Sequence, residues 1–100
     1  MAYFLMKLIP PRPTFPGDAS DEELAAMDRH QKHVRRLIHR RLVWAAGPVS
    51  DASGTWGVAI AEAGNAAEAR AHFDADPVIK ANLGFRWETY PMASLMVPDV

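Results

Sequence analysis

Residues 20–41 carry one unbroken helix-forming pattern, and any fold this chain adopts must give the apolar side of that helix something to lie on. Ser20-Asp21-Glu22-Glu23 has the spacing of a capping box. The Ser20 hydroxyl accepts from the backbone N–H near Glu23, while the Glu23 carboxylate reaches back to the cap. At about 100° per residue, Met27, Val34, Leu37 and Ile38 share one face, with Leu24 at its margin. His30 falls on that face, His33 near its edge and His39 roughly opposite, so of the three only His30 is placed to be held by packing.

The flanking segments supply the layer beneath. Residues 2–9 read as a strand with Phe4, Met6 and Leu8 on one side and Tyr3, Leu5 and Ile9 on the other, apolar on both. The proline-rich run 10–17 forbids both ladder and helix, and as a stiff loop it is placed to present Arg12 at a rim. A short second strand over 42–46 is expected to stop at Gly47-Pro48, with turn chemistry over 49–54. Residues 55–61 alternate between a bulky face of Trp56, Val58 and Ile60 and a flat face of Gly57, Ala59 and Ala61. Asn65 to Glu68 repeats the capping pattern before an alanine-rich helix to about Phe73. Asp76-Pro77 opens a further helical turn ending near Gly84, and a fourth strand over 85–90 is expected to halt at Pro91.

That order, strand, helix, strand, strand, helix, strand, is the α+β, ferredoxin-like βαββαβ arrangement: an antiparallel sheet with both helices on one face. Residues 1–92 form a single domain and 93–100 a C-terminal tail. The first strand is apolar on both faces while the helices cover only one. A homodimer joined through the sheet face is therefore expected, as a dimeric α+β barrel.

Composition removes several classes of function. The chain has 100 residues, no cysteine and a formal net charge of −1, so thiolate chemistry and cysteine-based metal sites are excluded. The N-terminal apolar run is broken by Lys7 and is too short to span a bilayer, so the chain is read as cytoplasmic, with no membrane partner. Arg29, Lys32, Arg35, Arg36 and Arg40 lie mainly away from the apolar stripe, which reads as a solvated helix face rather than a nucleic-acid surface. His30 and His33 could both reach a metal from adjacent turns, but no third ligand stands at a telling spacing and there is no His-Glu-x-x-His. No metal and no other cofactor is expected, and no glycine-rich phosphate loop is present.

His30 has two readings. One is a core histidine whose ring nitrogens are satisfied by backbone or water. The other is a general base, which needs a carboxylate to fix the tautomer and balance the imidazolium. Asp28, Asp51, Asp74 and Asp76 are the candidates. Asp76 has an ordinary role as the cap before Pro77, and the two roles are compatible, since one carboxylate oxygen can cap while the other faces a ring nitrogen.

Taken together, a Tyr-Phe strand start, a helix histidine eighteen positions before Pro48 of a Gly-Pro turn, and Ala75-Asp76-Pro77 after the second helix resemble the YCII-related (YciI-like) family. The similarity runs from Tyr3 to Met92, with residues 8–13 and 83–86 resembling one subgroup. Arg41 departs from the pattern, since family members often have glycine there. The resemblance implies a ferredoxin-like fold, dimerisation through the sheets and a site centred on His30 and Asp76. Activity known in the family includes loss of hydrogen chloride from a chlorinated hydroxyquinol, and the fold resembles muconolactone isomerases. The expectation is thus a small enzyme of lyase or isomerase type, using a His30–Asp76 pair on a small aromatic or lactone-like substrate. Arg12 would hold an anionic group and Trp56 a flat one. The alternative is a non-catalytic homodimer that binds a small ligand or partner in the same cleft.

Overall fold

The computed structural model describes residues 1–99. Its elements are β1 (Ala2–Ile9), α1 (Asp21–His39), β2 (Val43–Asp51), β3 (Gly54–Ala63), α2 (Ala66–Asp74), α3 (Pro77–Lys80) and β4 (Arg86–Met92). The strands form one antiparallel sheet in the order β2-β3-β1-β4. Among the described residues no helix is long and apolar enough to cross a membrane.

Alternation along β1 decides which face is covered. Phe4, Met6 and Leu8 are buried, whereas Tyr3, Leu5, Lys7 and Ile9 on the opposite face are half-exposed. On β3 the flat side is the buried one: Ala59, Ala61 and Ala63 let the helices approach, and Ala69 and Phe73 of α2 share their cluster. A second cluster joins Leu8 and Phe15 to Ala26 of α1, Val78 of α3 and Phe85. Trp87, directly opposite Leu8 in the ladder, packs against both.

The capping box at Ser20 forms in full. At its other end α1 closes with Arg41 at φ 60°, where Leu42 N–H donates to the Leu37 carbonyl and Arg41 N–H to that of Ile38, the paired bonds of a Schellman end. The apolar stripe is narrower than the periodicity implied. Val34 and Leu37 are buried, but Leu24 and Ile38 are exposed and Ala26 takes a buried place instead.

Two expected strand ends are not ends. β2 runs through Gly47-Pro48 to Asp51, and β4 runs through Pro91 to Met92, with Pro48 opposite Gly57 and Pro91 opposite Phe4. Both are outer strands of the sheet. On an outer strand alternate N–H groups point away from the neighbour, so a residue lacking one can be accommodated without breaking the ladder. The expected turn over 49–54 accordingly shrinks to Ala52-Ser53, held by Asp51 Oδ1 accepting from Ser53 N–H.

Candidate active site

His30 projects from the middle of α1 toward the start of α3, where Asp76 is the N-cap. Asp-Pro builds that turn: Pro77 occupies the first helical position, where its missing N–H costs nothing. Asp76 Oδ1 accepts from Val78 N–H at 2.9 Å. Its Oδ2 lies 2.6 Å from His30 Nδ1. One carboxylate thus ends a backbone orphan and grips the imidazole at once.

The geometry fixes the tautomer of the neutral ring. A carboxylate oxygen can only accept, so Nδ1 carries the hydrogen and donates, leaving the Nε2 lone pair free. Asp76 is wholly buried, and the His30 side chain is 13% exposed. Nε2 has no hydrogen-bond partner among the described residues, and His30 forms part of the wall of a cavity of about 420 Å³.

This cavity exists because of what the sheet lacks. Its wall on the sheet side is Leu8, Gly57 and Ala59, where the flat face of β3 leaves space. A flank of α1 bounds it with Met27, Gln31, Val34, Arg35 and Ile38, and Ala46 to Pro48 of β2 close the far side. Phe15, Phe85 and Trp87 make the inner end aromatic. Phe15 and Phe85 meet edge to face at 5.1 Å between centroids, and the Trp87 ring lies 6.0 Å from that of His30. Trp87 is fixed in turn by a T-shaped contact with Phe73 at 4.7 Å. Its Nε1 is buried with no hydrogen-bond partner among the described residues. The arrangement can take a proton from, and return it to, a flat molecule lying beside the imidazole.

Arg12 is not at this cavity. Its guanidinium grips Glu23 with two bonds of 2.7 Å and reaches the Asp18 carbonyl at 2.9 Å and its carboxylate at 3.0 Å. It pins the proline-rich loop to the start of α1. The Arg12 bonds, with the Ser20 N–H, hold the Glu23 carboxyl at about 2, well below its ordinary value, and the two carboxylates raise Arg12. The expected anion-holding role therefore does not fit Arg12, because its donors are already answered. Trp56 does border the cavity, but its indole is occupied: Nε1 donates to Asp51 Oδ2 at 3.1 Å, and Lys7 Nζ lies 4.4 Å above the ring. The tryptophan beside His30 is Trp87.

The sequence reading missed Gln31 and Arg35. Arg35 reads as part of the solvated helix face and Gln31 carries no signal of its own, yet both are exposed residues that line the cavity. The signal was available: Met27, Gln31 and Arg35, four apart, form the ridge beside His30, Val34 and Ile38. His33, by contrast, is used for packing, donating from Nε2 to the His72 carbonyl at 2.9 Å. Among the described residues no three His, Cys, Asp or Glu side chains converge.

A family model, that of the YCII-related domain, matches residues 3–93. No curated protein matches the chain.

Proposed function

The chain belongs to the YCII-related domain family, and from that premise we propose that it is a small enzyme of lyase or isomerase type. His30 is the general base and acid, and Asp76 orients it. The observation that carries this reading is the 2.6 Å contact from a wholly buried carboxylate to Nδ1, which leaves Nε2 unengaged on a ring that lines the cavity. Proton abstraction puts a positive charge on the imidazole, which the Asp76 carboxylate balances before the same nitrogen returns the proton to another atom of the substrate. Aromatic walls and a volume of about 420 Å³ favour a small, flat substrate, an aromatic compound or a lactone.

The enzyme works as a homodimer. Leu5, Val58 and Ile60, half-exposed on the face opposite the helices, support a second copy packed sheet to sheet. The test is a turnover screen of small aromatic acids, hydroxyquinols and lactones with the wild-type chain and His30→Gln, alongside sedimentation. The variant keeps its circular dichroism and the mass of two chains but loses about 10²–10⁴ in rate on any compound turned over. Undiminished turnover in His30→Gln would remove the acid–base assignment, and a wild-type mass of one chain would remove the dimer.

A further inference from the structure

The cavity wall is unbalanced in charge. Among the described residues Arg35 is its only permanent cation and no aspartate or glutamate lines it, since Asp76 stands behind His30. Lys32, on the same helix, pairs with Asp28 at 3.2 Å, and Arg12 is fully engaged, but Arg35 makes no ion pair among the described residues. Gln31, one turn earlier, adds a neutral polar group at the same mouth. An unanswered guanidinium at the entrance to an apolar hollow complements an anion, and its planar fork matches a carboxylate. Arg35 lies five positions after His30, about 7.5 Å farther along the helix axis. Both side chains line the same cavity, so an anion held at Arg35 and a ring beside His30 would share one hollow.

We propose that the cavity takes a small aromatic carboxylate, its charge on the Arg35 guanidinium at the mouth and its ring directed inward to Phe15, Phe85 and Trp87, beside His30. This rests on the acid–base reading only in placing the reacting end at His30. The anion contact rests on Arg35 alone.

Benzoate and benzamide share a shape and differ in charge, so their relative affinities, measured by calorimetry or NMR titration, read the contact. The wild-type chain binds benzoate at least about tenfold more tightly than benzamide, a preference that weakens with added salt because Arg35 is exposed. Arg35→Gln binds the two about equally. His30→Gln keeps the preference whether or not it retains turnover, which separates this test from that of the base. Equal binding of the two probes by the wild type, binding of neither, a preference that survives in Arg35→Gln, or one that vanishes in His30→Gln would each overturn the proposal.

Discussion

At the scale of single residues, the site depends on one carboxylate with two duties, and that much was legible from chemistry. Asp before Pro marks a cap, a cap uses one oxygen, and the second is left to point elsewhere. What could not be read was which arginine would be free. Arg12 and Arg35 look alike in a sequence, but Arg12 pairs with Glu23 and Asp18, while Arg35 makes no ion pair among the described residues. The Arg12–Glu23 contact makes a prediction of its own. The folded carboxyl titrates at about 2 against an ordinary 4.5, so the unfolded chain takes up this proton first as pH falls. The stability Glu23 contributes is therefore whole above about pH 4.5 and is lost as pH falls toward about 2. Chemical denaturation across that range should find Glu23→Gln less stable than wild type at neutral pH, with the gap closing below pH 4.5. A gap that stays constant down to pH 2 would mean that the contact contributes nothing through charge.

At the scale of elements, the caps of α1, α2 and α3 were readable because capping is local: a side chain meets a backbone group two or three residues away. The ends of β2 and β4 were not, because whether a proline breaks a strand depends on whether that strand has a neighbour on both sides. Place in the sheet is settled by the whole chain, not by the dipeptide. Arg41 gives this scale a quantitative test. A non-glycine residue at φ 60° costs about 1–2 kcal/mol, and glycine would return about 0.5–1 kcal/mol of that through its freer unfolded chain. The net gain for Arg41→Gly is about 0.5 kcal/mol, or about 2–4 °C in Tm for a domain of this size. Arg41→Ala, which keeps the Cβ, should show no such gain. A Tm for Arg41→Gly at or below that of wild type would indicate that the Schellman end of α1 is not strained.

At the scale of the whole molecule, the order of elements was enough to read the ferredoxin-like sheet with its helices on one face. The cavity was not legible. It arises where the flat face of β3 and a flank of α1 fail to fill the space between them, and a void appears only once both are placed. All of the proposed chemistry depends on the imidazole at its edge presenting Nε2 to that void. The most direct test is ¹⁵N NMR of histidine-labelled protein at a pH where the rings are neutral. His30 should show a protonated Nδ1 and a bare Nε2, the reverse of His33, which donates from Nε2. Asp76→Asn should abolish that preference at His30 alone, and benzoate should move the His30 Nε2 resonance while leaving that of His33 in place. A His30 ring protonated at Nε2, or one indifferent to both Asp76 and benzoate, would contradict the pairing and the function built on it.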